Sequence, residues 1–316
     1  MRFTGLNGYR KLLEQKLDAV VIQSPPYFHP EQAAAAVEAG KHVYVAKPIA
    51  VDVPGCRTIE ASGRRATEKK LVFLADFQTR AHPAYQEAVK LVHEGKIGKL
   101  ISGEATYQAG PVREEMHQLL LKNPADAETR LRAWIGDKVF SGDIITEQNI
   151  HALDVASWII NQEPIKASGT CLRGRAPLSI GCADRFSVTY HYPEFLLSFS
   201  SKQLGKGWND IQCRFYGMDG TIDTHYFGEV RVYCDDAYNG GRLANLYADG
   251  AVRNIATFYN QITGNNHANL TVAPSVRSNL LTILGRTAAY RNSEVTWAQL
   301  LKANEKLEVD LKGLKS

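Results

Sequence analysis

The stretch DAVVIQSPPYFHPEQAAAAVEAGKHVYVAKP, residues 18–48, decides the fold. Asp18-Ala19-Val20-Val21-Ile22-Gln23 is a short continuous apolar run ending at Pro25-Pro26, the pattern of a strand buried on both faces. PEQAAAAVEAG then reads as a strong helix former, with proline in its first turn and Gly40 where a C-cap belongs. The strand HVYVA follows at once. Strand, helix and strand joined by short loops make one βαβ unit, so the two strands run parallel with a right-handed crossover. At the end of the second strand the chain carries an ammonium, Lys47, to the mouth of an apolar sheet and follows it with Pro48.

Working outward, YRKLLEQK between Gly8 and Lys16 is helical. A helix from about Val53 to Thr67 precedes Lys70-Leu71-Val72-Phe73-Leu74-Ala75, a third parallel strand. The fold class is therefore α/β, a doubly wound parallel sheet. His82 to Glu94 is an amphipathic helix closed by Gly95. After Gly98 the strands alternate apolar with polar residues: ISGEATYQ, DRFSVTYHY, EFLLSFSSKQ, DIQCRFYG and GTIDTHYFGEVRVY. That alternation predicts a mostly antiparallel sheet with one wet face and helices on the other. Helices are expected around Ala125 to Ile135, from about Glu147 to Ile160, and over SVRSNLLTILGRTAAYRN, before the TWAQLLKANEKL stretch.

Composition narrows the function classes. With 316 residues, 44% apolar and 22% charged, the chain has room for a sizeable core and two domains. Its 37 basic and 33 acidic residues are scattered, so nothing resembles the clustered basic face that a phosphate backbone requires, and nucleic acid is not an expected partner. Five cysteines without a CxxC pair read as small buried hydrophobes. No window is apolar enough to span a membrane and the start lacks a signal peptide's apolar centre, so the expectation is a cytoplasmic chain, with export of a longer form left open.

Two constellations carry chemistry. In an open parallel sheet, ligands bind beyond the carboxyl ends of the strands. Here those ends carry Ser24-Pro25-Pro26-Tyr27-Phe28-His29, Ala46-Lys47-Pro48 and Asp76-Phe77-Gln78. A partly desolvated lysine has its pKa pushed down and exchanges a proton near neutral pH; a lysine that snorkels to water is the plainer alternative. The second constellation is GDIITEQNIHALDVASW, residues 142–158, where Glu147, His151 and Asp154 fall at i, i+4 and i+7 of one helix face. A carboxylate beside an imidazole suits proton transfer. The same trio suits a divalent metal, or a purely structural salt cluster. Trp134 and Arg132 are candidates for a sugar pocket, His29 for a cap or a ligand contact, and His267 for a solvated turn.

With both constellations in hand, the chain resembles the glucose-fructose oxidoreductase, inositol dehydrogenase and rhizopine catabolism (Gfo/Idh/MocA) family of nicotinamide-dependent oxidoreductases. DAVVIQSPPYFHPEQAAAAVEAGKHVYVAKPIA is similar to the family's strand, T-P-x-x-x-H loop, helix and E-K-P strand end. EQNIHALDVASWI resembles its D-x-x-x-H-x-x-D helix, and GKIGKLISGEATY and VTWAQLLKANEKL resemble its second-domain opening and C-terminal segment. The resemblance implies a Rossmann-like cofactor domain over residues 1–80 and an α+β substrate-binding and oligomerisation domain over residues 81–316. It implies Lys47, His151 and Glu147 as catalytic residues, with Glu147 where the family usually has aspartate. Ser24, Pro25, Pro26, His29, Ala46, Lys47 and Pro48 would face NAD or NADP, and Gln78, Asn149, Asp154 and Trp134 the substrate, with no metal. The implied reaction oxidises a secondary hydroxyl of a sugar, sugar derivative or cyclitol; cofactor-recycling relatives cleave glycosides or epimerise. A homodimer or homotetramer through the second-domain sheet is implied as well. Ala46 replaces the glutamate of E-K-P, and Asn149 stands where glycine is common.

The family's G-x-G-x-x-G turn is absent from this sequence. The expectation is that the chain begins at the family's third strand, Arg2-Phe3-Thr4, without a βαβ unit of roughly 30 residues or more. DAVVIQ would then be an apolar edge, and the pyrophosphate site at the first helix's N-terminus would be missing. Two readings follow: an enzyme whose cofactor site is incomplete in this chain, or a non-catalytic remnant that binds sugar or self-associates.

Overall fold

The computed structural model describes residues 1–175 and 180–315. A short helix α1 (Gly8–Leu13) leads into β1 (Ala19–Ile22), a turn of 3-10 helix at Pro26–Phe28, α2 (His29–Glu38), β2 (His42–Ala46), α3 (Val53–Glu68) and β3 (Phe73–Asp76). The three strands pair in parallel in the order β1-β2-β3, as the apolar runs predict. α2 lies close to the sheet because its buried face is Ala33, Ala36 and Val37, and α3 starts where the Asp52 carboxylate accepts from Gly55 N.

Arg2-Phe3-Thr4 is not a strand. Among the described residues β1 pairs only with β2, so these residues join no ladder, and Val21 on that edge is 63% exposed. The other edge is closed by side chains: Asn269 Oδ1 accepts from Phe73 N and Thr271 Oγ1 accepts from Ala75 N.

Beyond α4 (Gln78–Ala81) and α5 (Pro83–His93) runs β4 (Leu100–Ala109), followed by α6 (Glu114–Lys122), α7 (Ala127–Arg132), α8 (Lys138–Ser141), α9 (Ile144–Glu147) and α10 (Ile150–Ile160). Then come β5 (Lys166–Leu172), β6 (Arg185–His191), β7 (Leu196–Gln203), β8 (Asp210–Gly217), β9 (Thr221–His225), β10 (Glu229–Tyr233) and β11 (Tyr238–Arg242). The chain closes with α11 (Leu246–Thr263), α12 (Val272–Arg291), β12 (Val295–Thr296) and α13 (Trp297–Ala303). These strands form one nine-stranded sheet in the order β11-β10-β9-β8-β4-β7-β6-β5-β12. It is antiparallel except where β4 runs parallel to β7, and it alternates buried with wetter residues as expected.

Two further expectations are corrected. The run from Gly220 to Tyr233 is a hairpin, not a single strand, because Tyr226-Phe227-Gly228 turns the chain. The helix expected from Glu147 is broken: α9 ends at Glu147, and Asn149 N reaches back to Ile144 O before α10 begins. All five cysteines are free, with Cys56, Cys182 and Cys213 buried. Among the described residues no helix is long and apolar enough to cross a membrane.

α12 is buried on nearly every side and ties the two sheets together. Its Arg286 donates through Nη1 to Val51 O (2.9 Å) and Gly142 O (2.7 Å), and Asn279 Nδ2 donates to Ala50 O. The loop behind Lys47 and the loop ahead of Glu147 are thereby held by one side chain.

Candidate active site

The carboxyl ends of β1, β2 and β3 open on a cleft of about 630 Å3 whose other wall comes from β4, β8, the turn after β9 and the first turn of α11. At its floor the Lys47 ammonium donates to Glu147 Oε1 (2.9 Å) and to Glu147 O (2.5 Å). Both side chains are nearly dry, at 13% and 9% exposure. Removing either partner from such a pair leaves an uncompensated charge, a cost of about 3–5 kcal/mol. The Lys47–Pro48 peptide is cis.

Glu147 is itself held from behind. Tyr107 Oη donates to Gln148 Oε1 (2.8 Å), and Gln148 Nε2 donates in a short bond to Glu147 Oε2. A chain Tyr107, Gln148, Glu147, Lys47 therefore links β4 to the end of β2. On the opposite shoulder, the buried His29 ring sits between Ser24 O (2.7 Å) and Pro48 O (2.8 Å), which joins the loops after β1 and β2. Burial pushes its pKa down to about 4, so near neutrality it is uncharged and donates to only one of the two carbonyls.

His151 lines the same cleft. Burial, and secondarily the Lys47 charge, hold its pKa well below the usual histidine range, so the imidazole is neutral. Its neighbour is the Tyr226 ring, edge-on at 5.2 Å between centroids. Glu147 does not pair with it. The break between α9 and α10 turns that carboxylate toward Lys47, so the expected imidazole–carboxylate pair on one helix face does not form. Among the described residues no group of three His, Cys, Asp or Glu is placed to hold a metal ion.

The remaining predicted residues divide. Ser24, Pro26, His29, Ala46, Gln78 and Trp134 line the cleft with Lys47, Glu147 and His151. Pro25, Pro48, Asn149 and Asp154 are not on its lining. Asp154 is fully buried and grips Arg80 through both oxygens (2.8–3.0 Å), which anchors α10 to α4. Asn149 is fully buried, with neither amide atom hydrogen-bonded among the described residues. Gln78 reaches the cleft with its Oε1 buried and unpaired. It does so because Gly250 lets α11 lie against α4; a Cβ there would stand 2.7 Å from Gln78 O.

Sequence reasoning missed Tyr107, Gln148, Tyr226, Phe227 and Tyr247, and did not single out Asp76. The Asp76 carboxyl, raised in pKa by burial, accepts from Asn254 Nδ2 (2.7 Å) beside the Tyr44 hydroxyl. Only its place at a strand end signalled it.

Comparison with known proteins identifies the family. Residues 3–76 match the family described as "Oxidoreductase family, NAD-binding Rossmann fold", and residues 85–223 match the GFO/IDH/MocA C-terminal domain. The chain belongs to the Gfo/Idh/MocA family of oxidoreductases. It is 33% identical over 219 residues to inositol 2-dehydrogenase 3 of Saccharopolyspora erythraea, covering 65% of this chain and 54% of that protein. It is 34% identical over 113 residues to dTDP-3,4-didehydro-2,6-dideoxy-alpha-D-glucose 3-reductase of Actinomadura kijaniata, covering 35% of this chain and 33% of that protein. The matches thus span less than two thirds of either relative. In fold, the chain is similar to a levoglucosan dehydrogenase solved in complex with NADH and levoglucosan, with a TM-score of 0.70 at 21% identity over 92% of this chain and 83% of the other.

Proposed function

We propose that the chain is an NAD(P)-dependent oxidoreductase acting on a secondary hydroxyl of a sugar, sugar derivative or cyclitol. Residues 1–80 would form the cofactor side and residues 81–316 the substrate side. The observation that carries this reading is the opening of the Lys47 amine and the His151 imidazole onto one cleft at the carboxyl ends of parallel strands. Family membership and the names of the relatives support the same class.

The donor set suits the nicotinamide end of the cofactor. Gln78 offers a buried, unpaired amide oxygen, and Ser24, Ala46 and Lys47 form the sheet-side rim. These residues would hold the nicotinamide half of the cofactor. A nicotinamide bound there supplies a carrier for the hydride.

The protein's own part is placement and proton handling. Lys47, fixed by the Glu147 carboxylate and carbonyl, presents Nζ–H to the substrate oxygen. It hands over a proton as a carbonyl becomes a hydroxyl, and recovers it in the reverse direction. His151, kept neutral, orients that oxygen by a hydrogen bond and adds no second positive charge beside Lys47.

Titration with NADH and NADPH, followed by fluorescence, tests the reading, together with nicotinamide absorbance during incubation with sugars and cyclitols. Saturable binding near micromolar with turnover of at least one polyol is expected. Silence up to millimolar cofactor would favour the non-catalytic remnant. We further infer self-association through the open face of the nine-stranded sheet, which a light-scattering mass of a single chain would contradict.

A further inference from the structure

Two large aromatic rings stand on the wall of the cleft with most of their surface in water: Phe227 is 62% exposed and Tyr247 is 63% exposed. Their anchors are the reverse. Tyr226 beside Phe227 is 4% exposed, and Leu246 beside Tyr247 is 1% exposed. Tyr226 N donates to Ile211 O (2.9 Å) and Leu243 N to Gly228 O (2.9 Å), so the turn bearing Phe227 is pinned. Tyr247 lies in the first turn of α11, capped by Asn245. Both rings are thus fixed at their backbones and free at their faces, which lowers the ordering cost of a ligand that covers them.

A second observation ties them to the chemistry. The rings of His151, Tyr226 and Phe227 follow one another edge-on, with centroids 5.2 Å and 4.9 Å apart and planes inclined at 64° and 74°. One aromatic row thus leads from the imidazole to the open end of a cleft whose floor is polar. A pyranose offers hydroxyls at its rim and an apolar C–H face, so a first ring suits the floor and an exposed flat ring suits the face of a second.

We propose that Phe227 and Tyr247 form an outer subsite for the second ring of a disaccharide or glycoside whose first ring meets Lys47 and His151. The inference rests on the carbohydrate reading above and narrows it: two-ring substrates are preferred to free monosaccharides or cyclitols.

Calorimetry on the full chain tests it. Glucose, galactose and mannose would each be titrated beside disaccharides and p-nitrophenyl glycosides that carry the same ring. At least one two-ring ligand is expected to bind about tenfold tighter than its parent sugar, and Phe227→Ala and Tyr247→Ala should each pull that ratio toward one. Phe227→Leu, which keeps apolar bulk without a flat face, should retain only part of it. An unchanged ratio in the variants, or equal binding of one-ring and two-ring ligands, overturns the subsite and leaves the carbohydrate reading standing. Loss of NADH affinity in place of the ratio assigns the rings to the cofactor and overturns it as well. Absence of binding by every sugar in the panel overturns the subsite, while the turnover assay with sugars and cyclitols decides the broader reading separately.

Discussion

His151 and His225 sit in opposite electrostatic surroundings. His151, at the cleft, has an aromatic neighbour and an ammonium nearby, and burial keeps it neutral. His225, on the open face of the nine-stranded sheet, lies 3.0 Å from Asp210 and 3.4 Å from Asp223, and hydrogen bonding to Asp223 pushes its pKa up to about 9. The same face carries Arg214 between Glu104 and Asp223. By residue type the open face looks more like an acid–base site than the cleft does. What separates them is charge balance and space: the open-face cluster pairs its cations with carboxylates on both sides, whereas the cleft holds a single Lys47–Glu147 pair and an uncharged imidazole with room for a ligand.

The sharpest way to break this comparison is to substitute the cation in each cluster. Lys47→Met is expected to lower kcat for polyol oxidation by about 10²–10⁴-fold, the range for loss of a positioned proton-transfer group. Arg214→Met should stay within about threefold, since Arg214 is not on the lining of the cleft. Steady-state rates, with circular dichroism to confirm folding, decide the matter. Comparable losses in both variants would remove the functional distinction between the two faces.

Burial also predicts where ion pairs matter for stability. Asp154→Asn leaves the Arg80 guanidinium facing a neutral amide in a dry site and should cost about 3–5 kcal/mol in urea unfolding. The open-face change Glu104→Gln should cost under about 1 kcal/mol. A smaller effect tests the chain behind Lys47. Tyr107→Phe removes one hydrogen bond to Gln148, worth about 1 kcal/mol, and should lower kcat a few-fold with KM little changed.

The fold was legible where one period ran unbroken. The apolar runs at 18–23 and 70–75 and the alternation at 210–217 each specify a strand, and the strand-end rule brings Lys47, Ser24 and Gln78 to one place. The pairing inside the site was not legible. Glu147 and His151 are four apart, which promises a shared helix face, but the break at Gln148-Asn149 gives Glu147 to Lys47, one hundred residues away. Asp154 at the next turn goes to Arg80 for the same reason: α10 packs against α4, and a register in sequence says nothing about which neighbour a face meets. α11 went unread although Val252, Ile255 and Tyr259 repeat at a helical spacing; that apolar stripe is exposed, while Gly250 and Asn254 on the other side are buried.

The smallest expected effect is a pH dependence with a definite sign. In the unfolded chain His225 titrates near 6.5, and in the folded chain near 9. The folded state therefore holds the proton more tightly, so the stabilisation is fully present below about pH 6.5 and is lost as pH rises through about 9. His225 is partly exposed, so solvent screening reduces the contribution to about 1 kcal/mol. Urea midpoints measured from pH 6 to pH 10 should fall by that amount in the wild type and less in His225→Gln. Proton NMR of the imidazoles supplies the counterpart at the cleft: His225 should titrate near 9, while His151 stays unprotonated well below 6.5. If His151 instead titrates near the ordinary value, the cleft is wetter than its lining implies, and the neutral orienting role given to that ring fails while the open-face cluster stands unchanged.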